Sequence, residues 1–312
     1  SILLEDSAGN YSEEITNIDT FPQIYFDGTL PTMVTVSFLS SNRNDSSLAI
    51  IGDTLVLNFD TSEPLSTLIV KIAGQIADTT FEISGRMPYR SWRILDGSEA
   101  EGYIPFQIDL TDNVGNEGVS INSTTDNSSI LFDTTPPSEY MLGTVLSSGG
   151  TVKEGFWNTY NDTLIITIPL ENTDTSLIGG YVQPLVKFSN QDFTELGSKI
   201  EIYDLSQDGS LVMKVSGDSF ETILGFSENT NAYFSSKIKD KAGNETIGAP
   251  SNSLIHIDQI APVLDSLNLV SSNQLSSKWV KISDVIQLFF RSSEGLDSVI
   301  IDISDNNILP NI

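Results

Sequence analysis

Three motifs recur along the chain in one fixed order, and this recurrence constrains the fold more than any other property of the sequence. The first is a turn of the form D-x-[AV]-G-N, seen as DSAGN at Asp6–Asn10, DNVGN at Asp112–Asn116 and DKAGN at Asp240–Asn244. The second is an aspartate followed by proline at the end of an apolar run: Asp27 with Pro31, Asp133 with Pro136 and Pro137, and Asp258 with Pro262. The third is an alternating stretch opened by an aspartate and closed by an acid: GDTLVLNFDTSE (52–63), NDTLIITIPLE (161–171) and SDVIQLFFRSSE (283–294). The turn aspartates lie 106 and 128 residues apart, and they precede their linker aspartates by 21, 21 and 18 residues. One motif alone is weak evidence. Three in register describe serial copies of a single structural unit.

Between these landmarks apolar and polar residues alternate with period two, as in MVTVSF, TLVLNF, TLIITI and SVIIDI, the signature of half-buried strands. No segment carries a helical period, and turn residues return about every 8–12 positions, as in antiparallel sandwiches. The expected fold is all-β, tandem immunoglobulin-like β-sandwich repeats in an elongated array. Residues 1–31 read as the C-terminal part of an incomplete repeat, 32–136 as one repeat, 137–261 as a longer one, and 262–312 as the N-terminal part of another. The prolines end each sheet ladder, because proline lacks an amide donor and holds the crossing extended.

In a seven-stranded sandwich the D-x-[AV]-G-N turn falls between the last two strands, at the end where the incoming linker arrives. Its chemistry is explicable without a ligand: glycine supplies a positive φ, while Asp and Asn bond back to the turn's own amides. Strand B, the alternating stretch of the third motif, ends at the same place. One end of a repeat therefore collects a linker aspartate, an acid after strand B, and the turn's Asp and Asn. The first set is Asp27, Glu63, Asp112 and Asn116; the second is Asp133, Glu171, Asp240 and Asn244. Carboxylates brought this close raise one another's pKa unless a cation neutralises them. Asp53, Asp162 and Asp284 open strand B at the opposite end and form a second-ranked alternative with the outgoing linker.

Composition narrows the partners. The 312 residues hold 15 Lys plus Arg against 42 Asp plus Glu, a net charge of −27, which repels nucleic acid and anionic membrane surfaces. With no cysteine and one histidine, the donors available to a metal are oxygens, which suit calcium better than zinc or copper. No signal-peptide pattern and no apolar run near 18 residues is read, so no direct membrane insertion is expected.

The combination GDTLVLNFDTSEPL, DLTDNVGNEG and ILFDTTPP resembles the bacterial immunoglobulin-like (Big-type) repeats strung in tandem in large extracellular adhesins and surface proteins. The resemblance runs along the whole chain in register, departing in the longer repeat around QPLVKFSNQDFTELGSK. It implies an extracellular or cell-surface spacer or fibre segment, with Ca2+ at the linkers stiffening the array at the matching positions. Its partners would be neighbouring repeats, or copies of itself through strand complementation at the ends.

The rival function is a carbohydrate- or protein-binding module built on RMPYRSWR, where Arg86, Tyr89, Trp92 and Arg93 offer aromatic faces and guanidinium groups. The plainer alternative pairs these arginines with surrounding acids. In EGFWNTY, Phe156, Trp157 and Tyr160 are expected to pack under strand B. No enzyme is expected. The lone His256 sits in a strand, LIHID, where a structural role outweighs a catalytic triad. No P-loop or zinc pattern occurs, and no carboxylate pair stands out from the repeat background. The six N-x-[ST] triplets, beginning at Asn10, Asn44, Asn122, Asn127, Asn161 and Asn244, are expected in a chain this rich in Asn, Ser and Thr.

Overall fold

The computed structural model describes residues 1–16, 24–83, 88–189, 191–205, 208–303 and 306–308. The chain is all-β, as the period-two alternation predicts. It divides into two units, Ser1–Pro136 with Lys241–Asn244, and Pro137–Asp240 with Glu245–Ile312.

In the first unit, β1 (Met33–Ser40), β2 (Thr54–Thr61), β3 (Leu65–Ile72), β4 (Gln75–Ile76), β5 (Thr79–Glu82), β6 (Pro88–Ile94) and β7 (Phe106–Asp112) form two sheets. Their orders are β1-β2-β6-β5 and β4-β3-β7. Strict alternation in β2 buries Leu55, Leu57 and Phe59, while antiparallel pairing sets Val36 opposite Phe59 and Phe38 opposite Leu57. Facing them, β3 and β7 place Val70 opposite Ile108. These inward rows meet in one core that contains Phe38, Leu57, Val70, Ile72, Phe106 and Ile108. A further short pairing runs parallel, with Leu131 and Phe132 against Leu48 and Ala49. Residues 241–244 group with this unit, where Lys241 pairs with Asp45 at 2.8 Å and Asn42 donates to the Ala242 carbonyl.

The second unit contains β8 (Val145–Ser148), β9 (Thr163–Pro169), β10 (Tyr181–Phe188), β11 (Ser210–Ser216), the five-residue α1 (Gly217–Glu221), β12 (Asn231–Lys239) and β13 (Leu254–Ile257). One sheet runs β8-β9-β11; in the other, β12 lies between β10 and β13. Its core joins Trp157, Leu164, Ile166, Phe188, Phe220 and Phe234. Phe156 and Trp157 pair in parallel with His256 and Ile257. Trp157 packs in the core as expected, but Tyr160 is exposed. Tyr160 stands in the turn that precedes Asn161, whose side-chain oxygen accepts the Asn158 amide, and this turns the phenol outward.

The unit continues through β14 (Leu264–Ser271), β15 (Ile286–Ser292), β16 (Ile301–Ile303) and β17 (Asn306–Ile308), which pair as β14-β15 and β16-β17.

A polar clasp recurs that the motif reading did not identify. In the loop between β1 and β2, Asn42 Nδ2 donates to Asp53 Oδ2 at 3.0 Å, the Ser41 hydroxyl donates to Asp53 Oδ1 at 3.1 Å, and the Ile50 amide donates to Asp53 Oδ2 at 2.9 Å. Between β14 and β15 the same offset of 11 residues brings Asn273 Nδ2 to Asp284 Oδ2 at 3.1 Å, with the Lys281 amide donating to that oxygen at 2.8 Å. Asp53 and Asp284 thus close the loops that lead into their own strands.

Candidate functional site

The site forms where β7 ends. Asp112 Oδ1 accepts the amides of Val114, Gly115 and Asn116 at 2.9, 2.7 and 2.8 Å, and Oδ2 accepts Asn116 Nδ2 at 2.8 Å. The chain can curl this tightly because Gly115 takes φ 97°, a conformation that costs glycine little. The Asp6 turn repeats the arrangement, with Oδ1 accepting the amides of Ala8 and Asn10 at 2.9 Å each and Oδ2 accepting Asn10 Nδ2 at 2.9 Å. The motif is therefore a self-contained clip before any partner is considered.

Asn116 also reaches the linker. Its Nδ2 lies 3.2 and 3.3 Å from the carbonyls of Asp27 and Thr29, and the Thr29 amide donates to Asp27 Oδ1 at 3.0 Å. Glu63 follows β2, where the Thr61 hydroxyl donates to its carbonyl at 2.8 Å. Asp27, Glu63 and Asp112 each place a carboxylate oxygen within 4.8 Å of the others. Among the described residues no lysine, arginine or histidine pairs with any of the three.

The electrostatics follow from this crowding. Burial pushes the Glu63 carboxyl above its ordinary value, and the charges of Asp27 and Asp112 push it further. For Asp112, burial also pushes upward, but hydrogen bonds from the Asn116 amide and side chain and from the other turn amides outweigh it, and the net shift is downward. An all-oxygen donor set with unneutralised charge fits a hard divalent cation, with water and carbonyls filling a coordination of six to eight.

The second predicted set is placed differently. Asn244 Nδ2 donates to the Asp133 carbonyl at 3.0 Å, the counterpart of the Asn116 contact to Asp27. Glu171 accepts the Thr173 hydroxyl at 2.7 Å, and Asp240 is buried. Neither belongs to a group of three acids at ligand distance among the described residues.

The aromatic and basic residues of the rival site do not converge. Strand alternation in β6 turns Tyr89 and Arg93 to one face and Trp92 to the other. Tyr89 stacks on Phe59 at 5.6 Å, and Arg93 pairs with Glu99 at 3.1 Å and Asp78 at 3.6 Å. Trp92 stays on the surface edge-on to Phe81, with ring centroids 6.4 Å apart. Arg86 lies outside the described residues. His256 shares a 2.8 Å hydrogen bond with Asn231 Oδ1 and meets the edge of Phe156. No helix among the described residues is long and apolar enough to cross a membrane.

No protein-family model matches the chain, and no curated protein matches it. Among solved structures it is similar to a Ca2+-stabilised adhesin that helps an Antarctic bacterium reach out and bind ice, at 16% identity over 76% of this chain and 52% of that one, TM-score 0.39. It is also similar to SGBP-B of the Bacteroides ovatus mixed-linkage glucan utilisation locus, solved with a mixed-linkage heptasaccharide, at 12% identity over 76% and 50%, TM-score 0.19. The chain spans about half the length of each of these two structures.

Proposed function

We propose that the protein is a non-catalytic, extracellular tandem-repeat segment, a spacer or fibre element of a bacterial surface adhesin, whose linkers are stiffened by calcium. The observation that carries the reading is the convergence of Asp27, Glu63 and Asp112 without a counter-charge. A linker acid, an acid after β2 and an acid ending β7 are joined there, so an ion held by all three ties the linker to the body of its unit. Its stabilising effect grows by mass action, about 2.7 kcal/mol at free calcium a hundredfold above Kd.

Thermal unfolding and solution scattering, with calcium and with chelator, test this. Calcium is expected to raise the midpoint and narrow the distribution of molecular lengths; no change in either removes the ion from the account. Glu63→Gln gives a sharper check. A carboxyl whose folded pKa is raised contributes stability in its protonated form, present below its unfolded pKa and lost as pH rises through the folded one. At neutral pH ionised Glu63 therefore costs stability when no ion is present. In chelator Glu63→Gln should match or exceed the parent midpoint, while the calcium increment should shrink. Calcium binding should also release protons and weaken as pH falls through the range where Glu63 titrates.

The surface pair of Trp92 and Phe81, next to Arg90 bonded through Nε to Asn58 at 2.8 Å, favours a second reading as a glycan-binding face. Saturable binding on a glycan array, abolished by Trp92→Ala, would support it.

A further inference from the structure

Three Asp–Gly steps occur in the chain, at 27–28, 96–97 and 208–209. Such a step is open to succinimide formation, because glycine puts no Cβ beside the nitrogen that attacks the aspartate carboxyl and leaves the backbone free to reach the ring geometry. The fold decides which of the three can use that freedom.

At 96–97 the nucleophile is engaged. The Gly97 amide donates to Glu99 Oε2 at 3.0 Å, and the Glu99 side chain is itself buried, with its other oxygen 3.1 Å from Arg93. At 208–209 the turn is held from the other side, where the Leu170 amide donates to the Gly209 carbonyl at 2.8 Å. The Asp27–Gly28 step has neither restraint. Both residues are exposed, and they follow Tyr25 and Phe26, whose side chains are 83% and 96% exposed. Among the described residues the Gly28 amide donates to no acceptor. The Thr29 amide, 3.0 Å from Asp27 Oδ1, folds the carboxyl back along the Gly28 peptide.

We propose that the 27–28 step is a self-modification site, converting Asp27 to isoaspartate, and that a cation on the carboxylate protects it. The Gly28 nitrogen attacks Asp27 Cγ and the N–Cγ bond forms. One carboxyl oxygen leaves as water, taking the amide proton and a proton from solvent, and a succinimide remains. Water then adds at the Asp27 main-chain carbonyl carbon and breaks its bond to the Gly28 nitrogen; one of its protons returns to that nitrogen and the other to solvent. The net change is an isomerisation that needs no reactant but water. The main chain now runs through Cβ and Cγ, one carbon longer, and the carboxylate sits on Cα. The carbonyl that faced Asn116 Nδ2 at 3.2 Å has become that carboxylate, and the side-chain oxygen beside Glu63 and Asp112 has become a peptide carbonyl. The linker arm of the triad is thereby lost. A metal-held carboxylate oxygen cannot leave as water, so occupancy blocks the first step. That protection rests on the calcium reading above; the isomerisation does not.

Peptide mapping by mass spectrometry, which separates isoaspartyl from aspartyl peptides of equal mass, tests this on the whole protein aged in warm neutral buffer. In chelator, conversion is expected at Asp27 with Asp96 unchanged. Unfolding in urea should bring Asp96 to a comparable rate, because the restraint on Gly97 belongs to the fold. Free calcium about tenfold above Kd should slow conversion of Asp27 roughly tenfold, since only the empty form reacts. Gly28→Ala should stop it. Gly28 stands outside the left-handed region, and an added Cβ would meet only the Phe26 ring, at 3.1 Å; that exposed ring can swing aside, so folding is not at risk. Conversion at Asp27 no faster than at Asp96 in the folded protein, in calcium and chelator alike, overturns the proposal. So does an unchanged rate in Gly28→Ala. Conversion in chelator that calcium leaves unchanged upholds the modification and counts against the ion.

Discussion

Asp112→Ala is expected to lower the unfolding midpoint of the first unit by roughly 10 °C in chelator, and by more in calcium, where the increment from the ion is lost as well. The carboxylate is almost fully buried, and its Oδ1 receives three backbone amides. Truncation leaves those donors without their acceptor, a greater cost than losing any one bond. Asn116→Ala should do less, because it removes the contacts to the linker carbonyls but leaves the three amides satisfied. The pH dependence has a defined sign. Burial raises the Asp112 carboxyl, the bonds from Asn116 and the other turn amides lower it more, and the net folded value lies below the ordinary one. Its contribution is therefore present above the unfolded pKa, near 4, and is lost as pH falls through the folded value. Asp112→Asn should flatten acid unfolding of this unit. A midpoint unmoved by Asp112→Ala would show that the clip does not hold the turn.

Trp157→Ala should be the most damaging single change in the second unit, at about 3–5 kcal/mol. The indole is fully buried, meets Phe220 edge-on at 5.2 Å and donates from Nε1 to Glu221 at 2.8 Å. Removing it opens a cavity against a cluster in which Phe188, Phe220 and Phe226 also touch, and rings so interlocked cannot all collapse inward. Urea unfolding should move by on the order of 1–3 M. Trp157→Phe separates the two contributions: it keeps the aromatic contact, loses the Glu221 bond, and should cost about 1–2 kcal/mol. A loss below about 1 kcal/mol for the alanine variant would contradict this account of the core.

Much of this architecture was legible because strands covered on one face write themselves into the sequence with period two. β2 and β9 are cases in which alternate residues are buried without exception. β10 was illegible for the opposite reason. Five consecutive residues from Val182 to Val186 are buried, including Gln183, whose Nε2 donates to the Pro184 carbonyl at 3.1 Å, so the alternation disappears. α1 spans five residues, barely more than one turn, too few to show a helical period. The clip at Asp112 could be read from DNVGN because one turn holds all its partners. The clasp at Asp53 could not, because its partners are scattered through a loop in which Ser and Asn are common. The basic aromatic stretch misled by proximity in sequence, since neighbours in a strand point to opposite faces.

The parallel pairings set how each unit meets mechanical force. Leu48–Ala49 precedes β2 and Leu131–Phe132 follows β7, side by side in the same direction; Phe156–Trp157, before β9, pairs in the same way with His256–Ile257, after β12. Tension applied along the chain drags such partners past each other lengthwise. Their hydrogen bonds are then sheared as a group, whereas a hairpin pulled from its open end unzips one bond at a time. A unit built this way resists stretching through backbone geometry, whether or not an ion is bound.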